Sequence, residues 1–222
     1  MRLQRKTALM GVVEPGFARL NSHNNNVMVS RWSAEVRGTM ESAVSPPEAA
    51  LSFLKELGAD KVPHLANRFL LEHLIETYRI LAGWDHDAPV ALAGLMHSVY
   101  GTIAFKRACL APSERQRVRA VICERAELLV YLFGAMDRDL FLDHLDSNRI
   151  VSRFEDGEIA VSDAETRIMC EILFANDLDL AIAKKGADRP DKIEKKLGPL
   201  YRQTVEFLSP AAQKSYREAI RA

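Results

Sequence analysis

Between Ala88 and Met96 the chain reads APVALAGLM, with no charge in it, and the next residue is His97. A helix that is apolar on every side has no face to give to water, so this segment predicts the centre of the fold, with other helices packed around it. Asp87 and Pro89 suit its start. The segment therefore carries His97 into the interior at its C-terminal end, just ahead of Ser98-Val99-Tyr100-Gly101-Thr102.

The flanking segments read as amphipathic helices. Ser45 and Glu48 have the spacing of a capping box and Gly58 suits the end of a short first helix. A second helix is expected from about Asn67 to Ala82, with Phe69, Leu70, His73, Leu74, Thr77, Ile80 and Leu81 on one face, so that His73 points inward. Ser113 and Gln116 predict the start of a long helix running to Phe133 and closed by Gly134; "DRDLFLDHL" reads as a short helix after it. "RIVSRFEDGEIAVS" is a hairpin around Asp156-Gly157, a dipeptide suited to a two-residue turn. Ser162 and Glu165 cap a helix continuing to about Lys184, before Gly186. Its stripe of Ile168, Met169, Ile172, Leu173, Ala175 and Leu180 takes in Asn176 and Asp179, with Asp177 at the edge. The expectation is an all-α fold with one small β-hairpin: an N-terminal extension over 1–44, mobile, a helical domain over 45–185, and C-terminal helices over 186–222 packed on the same domain.

The 222 residues suffice for one core of ordinary size. Thirty basic residues balance thirty acidic ones, which removes the global field that would draw the chain onto nucleic acid or an anionic membrane, and neither is expected as a partner. Monomer and oligomer both stay open. Cys109, Cys123 and Cys170 stand far apart in helix-like segments and read as free thiols of a reducing, cytoplasmic compartment. No apolar run approaches the ~20 residues of a membrane span. The basic residues before residue 45 (Arg2, Arg5, Lys6, Arg19, Arg31, Arg37) faintly suggest a transit peptide, but Glu14, Pro15 and "NSHNNN" interrupt any amphipathic helix there.

Four polar residues fall on apolar faces of three helices: His73, His97, Asn176 and Asp179. Burying any of them without a partner costs about 1–3 kcal/mol. A divalent metal would satisfy several at once; imidazoles with carboxylate or amide oxygen suit zinc, iron or manganese. The competing reading gives each histidine a carbonyl partner and Asn176 an interhelical hydrogen bond. His64 reads as a loop or cap histidine, and His23, His86 and His144 as solvated. Glu72, next to His73, is a candidate general base, with a solvated helix charge as its ordinary reading. Tyr100 and Thr102 could orient a substrate or simply build a turn, and Arg68 and Lys106 could attract a phosphate.

The span from His64 to Thr102, "HLANRFLLEHLIETYRILAGWDHDAPVALAGLMHSVYGT", resembles the first half of an HD-domain metal-dependent hydrolase, above all the hydrolase domain of alarmone synthetase-hydrolases. His64 and Arg68 match that family's His-x-x-Gln-x-Arg element, His73 its second histidine, and "LMHS" its His-Asp. HD-type oxygenases fit "LLEH" and "LMHS" about as well. "ILFANDLDLA" is placed like the segment that supplies the last metal ligand, with Asn176 at the aspartate's position. The motif is closest to an uncharacterised HD-like family with His-Ser-Val-Tyr-Gly-Thr. The resemblance implies an HD-like helical bundle and a metal set drawn from His64, His73, His97, Asn176 and Asp179, with Glu72 and Tyr100 as catalytic candidates. Arg68, Ser98, Thr102 and Lys106 are the candidates for holding substrate. Ser98 and Asn176 stand where the HD pattern has carboxylates, which argues for one metal rather than two. The expected activity is hydrolysis of a small phosphate ester, or iron-dependent oxidation; the alternative is an HD-derived module that binds an effector or is purely structural.

Overall fold

The computed structural model describes residues 46–64, 68–183 and 190–221. Ser45, Lys184 and Gly186, and the extension expected over 1–44, fall outside the described residues. In chain order the elements are α1 (Glu48–Glu56), β1 (Pro63–His64), β2 (Arg68–Phe69), α2 (Leu70–Gly83), α3 (Ala88–Met96), α4 (Arg115–Ile122), α5 (Glu124–Ala135), α6 (Arg138–Asp143), β3 (Arg149–Val151), β4 (Glu158–Ala160), α7 (Asp163–Ile182), α8 (Pro190–Thr204) and α9 (Pro210–Ala219). The fold is all-α with small hairpins.

Helix α3 is the apolar segment, and it takes the central place its composition demands. Val90, Ala91, Ala93, Gly94, Leu95 and Met96 are all buried, and α2, α4, α5 and α7 pack around them. Asp87 caps it by accepting the Val90 N–H at 3.3 Å. Gly94 sets how closely α2 approaches, because a Cβ there would run into the Leu81 side chain. Helix α7 carries the full capping box: Ser162 Oγ accepts from Glu165 N at 3.2 Å and Glu165 Oε2 accepts from Ser162 N at 2.7 Å. Helices α8 and α9 close over α7, where Tyr201 and Tyr216 stack at 3.9 Å and both rings meet Phe174.

Several local expectations give way to tertiary constraints. Helix α2 starts at Leu70, because Arg68 and Phe69 pair antiparallel with His64 and Pro63, and Phe69 is 47% exposed rather than in the core. The long helix expected to run to Phe133 breaks into α4 and α5 at Cys123, which adopts φ 75°. The side-chain contact at its start lies upstream of the expected capping box, with Glu114 accepting the Ala111 N–H at 3.0 Å in the turn before α4. Gly134 lies inside α5 instead of ending it. The hairpin β3–β4 pairs Val151 with Glu158, so its loop is residues 152–157 and not a two-residue turn. Arg153 from this loop is tied down by the carbonyls of Gly134, Tyr100 and Gly101. The cysteines are free, but Cys109 lies outside the helices and Cys123 is exposed.

Leu95 is fully buried, so Leu95→Ala should lower stability in urea denaturation by roughly 2–5 kcal/mol; a change near zero would remove α3 from the core.

Candidate functional site

Helices α2, α3 and α7 each send polar side chains to one point. His73 Nε2 on α2 lies 3.3 Å from His97 Nε2 at the end of α3 and 3.0 Å from Asn176 Oδ1 on α7. Both histidines are 1% exposed. The partners on the far side of each group decide what faces inward. His73 Nδ1 lies 2.6 Å from Asp179 Oδ2, and that carboxylate already accepts from Arg68 Nη1 at 3.0 and 3.2 Å. Paired with a guanidinium it can only accept, so the His73 proton sits on Nδ1. His97 Nδ1 faces the Gly94 carbonyl at 2.7 Å, which likewise only accepts. The Asn176 amide donates Nδ2–H to Asp177 Oδ1 at 2.8 Å, which turns its oxygen toward the histidines.

A neutral His73 and His97 would present three lone pairs to one point, from the two Nε2 atoms and Asn176 Oδ1, with no proton between them. Burial holds His97 down to about 3, with the His73 charge adding to it, against the opposing pull of its bonds to Gly94 and Asn176. A proton shared through a His73 imidazolium is one way to satisfy such a set; a cation is the other. Two donors about 2.0–2.1 Å from a tetrahedral ion stand about 3.3–3.4 Å apart, which the His73–His97 separation of 3.3 Å matches. Imidazole nitrogen and amide oxygen suit zinc, iron or manganese. Among the described residues no three His, Cys, Asp or Glu side chains gather as a metal set; here the third donor is an amide.

A cavity of 780 Å³ opens over this point. His64, His73, His97, Ser98, Thr102 and Asn176 all line it. The His64 ring stacks on His73 at 4.6 Å, its Nε2 is buried without a hydrogen-bond partner, and burial, then the charges of His73 and Arg68, lower its pKa to about 4 against the pull of Asp179. Asp179 stands behind His73 rather than beside the lone pairs, in the position of a carboxylate that orients a histidine. Arg68 is held by that carboxylate.

Other sequence candidates are placed elsewhere. Glu72 is exposed and accepts the Phe69 N–H at 2.7 Å, so it caps α2 and does not reach the cavity. The Tyr100 hydroxyl donates to the buried Glu127 at 3.0 Å, which Arg115 and Arg119 also grip at 2.7 and 2.8 Å; burial pushes its pKa up. Thr102 Oγ1 accepts from Phe105 N at 2.9 Å, and Gly101 at φ 69° lets the chain turn there. Lys106 is exposed and outside the cavity lining. His86, read as solvated, is mostly buried with Nε2 3.1 Å from the carboxylate of Glu171.

Sequence reasoning missed Arg138, Asp137 and Asp139 in the cavity wall. Arg138 grips Asp177 at 2.7 and 3.2 Å. The "DRD" triplet carries no local sign of that long-range pair; Asp177, edging an apolar stripe, is the one hint that a cation must come to it.

A family model described as a domain of unknown function, DUF6817, matches residues 53–138. That stretch includes His64, His73 and His97 and stops before α7, so Asn176 and Asp179 lie beyond it. No curated protein and no solved structure matches the chain.

In metal-free protein the neutral His97 makes a signed prediction. Its folded pKa, about 3, lies below the ordinary 6.5, so as pH falls through about 6.5 the unfolded chain takes up a proton that the folded chain refuses. Stability is then lost with falling pH, by roughly 2 kcal/mol for this one group by about pH 5. Urea midpoints of chelated protein at pH 7 and pH 5, beside His97→Gln, check the loss and its origin.

Proposed function

We propose that this chain is a metal-dependent enzyme acting on a small molecule, with an HD-like site in which His73, His97 and Asn176 hold one divalent ion: zinc, iron or manganese. The observation that carries this reading is the convergence of His73 Nε2, His97 Nε2 and Asn176 Oδ1 at 3.0 and 3.3 Å, with the Nδ1 atoms of both rings and the Asn176 Nδ2 partnered on the far side. The resemblance of His64–Thr102 to HD hydrolases supports it independently. A divalent ion held there would lower the pKa of a water it binds and polarise a substrate oxygen, the chemistry of hydrolysis.

The chain's own groups do the holding and orienting. Asp179, itself neutralised by Arg68, keeps the His73 proton on Nδ1. The Gly94 carbonyl does the same for His97, and Asp177 fixes the amide of Asn176. The unpartnered His64 Nε2 is a group that can hydrogen-bond a ligand in front of the site. Ser98 and Asn176 add no charge, so one soft-preferring ion suits the set better than two hard ones.

A second reading has one observation in its favour. The nearby carboxylates Asp177 and Asp179 are both engaged by arginines, leaving neither uncommitted as a base, as a module that binds an effector without turnover would have it.

Elemental analysis of purified full-length protein should find close to one divalent ion per chain, removed by chelation and absent from His97→Ala. Wild-type protein that neither carries metal nor gains thermal stability from added zinc, iron or manganese would end the enzyme reading. Asn176→Asp would set a carboxylate against Asp177, at a spot where an amide now donates over 2.8 Å. Its metal-free form should be less stable by a few kcal/mol, and manganese or iron should raise its melting temperature more than that of wild type. Destabilisation that no metal relieves would favour the binding module.

A further inference from the structure

We infer that the cavity takes a small ligand with an apolar body and an uncharged or cationic head, and disfavours phosphate esters. The inference rests on the site proposed above for where the ligand lies, and it narrows the substrate class that the sequence suggests.

Size and lining come first. A cavity of 780 Å³ suits a molecule of drug-like size. Ile103, Phe105, Phe133, Met136, Leu173 and Leu180 supply an apolar wall for its body.

The charges then select the head. Sites that bind phosphate offer arginine forks, lysines or helix N-termini. Among the described residues, Arg138 is the cation in the cavity lining, and Asp177 holds it through both nitrogens. Arg68, beside His73, is likewise given over to Asp179. A phosphate would have to share guanidiniums whose charge these carboxylates already balance. The helix end that Arg138 begins is closed as well, because Asp137 Oδ1 accepts the N–H groups of Asp139 and Leu140 at 3.1 and 3.2 Å.

The remaining contributions favour positive charge. Helix α3 turns its C-terminal end, at Met96 and His97, toward the cavity, and that end of a helix carries partial negative charge. Asp137 and Asp139 line the wall without a cation paired to either among the described residues. A dianionic head would meet the carboxylates of Asp137 and Asp139 on this wall. A hydroxyl head meets them without repulsion, and an ammonium head is drawn to them and not to any bound cation.

Three probes that share one body test the inference: 4-phenylbutylamine, 4-phenyl-1-butanol and 4-phenylbutyl phosphate, titrated calorimetrically into full-length protein, both zinc-loaded and chelated. The amine and the alcohol should bind at least about tenfold more tightly than the phosphate in chelated protein, which is the comparison that decides the inference; zinc, a dication that attracts the phosphate and repels the ammonium, should narrow that margin. Asp139→Asn should reduce the preference for amine over alcohol severalfold without changing metal content. Leu180→Trp, which fills the cavity from its wall, should abolish binding of all three. Phosphate binding as tight as the amine, or no binding by any probe, overturns the inference, and bound zinc in the same samples would leave the metal site standing. Amine and alcohol selectivity in protein that holds no metal would do the reverse, upholding the ligand class while removing the metal.

Discussion

The contact between His73 and Asp179, 2.6 Å long and spanning α2 to α7, is the interaction on which the site depends. A buried histidine needs partners for both ring nitrogens or leaves one bare. By accepting a hydrogen bond from Nδ1–H, Asp179 leaves Nε2 facing His97 and Asn176. Arg68 completes the arrangement from the β1–β2 hairpin by balancing the carboxylate, which lowers the cost of burying it between two helices. Gly94 serves the same end: where α2 and α3 pass, its missing side chain lets Leu81 come in, and the two imidazoles reach hydrogen-bonding distance.

Around that point the charges are arranged in closed accounts. Arg68 answers Asp179, Arg138 answers Asp177, and Arg115 with Arg119 answers Glu127. The last of these groups also fixes Tyr100, so the Ser98–Thr102 stretch is held by a buried network on one side and by Arg153 on the other. This explains why a motif that looks catalytic contributes mainly shape. Tyr100 and Gly101 build the turn, and Ser98 and Thr102 face the cavity as neutral wall. Among the described residues lining the cavity, His64 Nε2 is buried without a hydrogen-bond partner, beside the point where His73, His97 and Asn176 meet.

Much of this was legible from periodicity. His73 and Asp179 fall on apolar faces and are buried, and Asn176, on the same stripe as Asp179, is part-buried where the cavity opens. His97 follows a segment with no polar side, so its burial was equally forced. The breaks at Cys123 and before Leu70 were not legible: the φ of 75° at Cys123 has no mark in the local pattern, and the hydrogen bond of Leu70 N to Val62 O belongs to the β1–β2 pairing and not to the helix.

The sequence by itself determined the helical class, the central place of α3, the capped starts of α3 and α7 at Asp87 and Ser162, and the inward direction of His73, His97 and Asp179. Those properties depend on the order of residues within one segment, where a spacing of three or four positions already selects a face. Tertiary structure alone decided which partner each buried group meets. Asp179 went behind His73 and not beside the lone pairs, Arg138 was spent on Asp177, and Glu72 and Tyr100 were turned to other work. Helical spacing gives the direction in which a side chain leaves its own helix. What it meets is set by the height and rotation of the helix opposite, and these follow from the packing of the whole core at once.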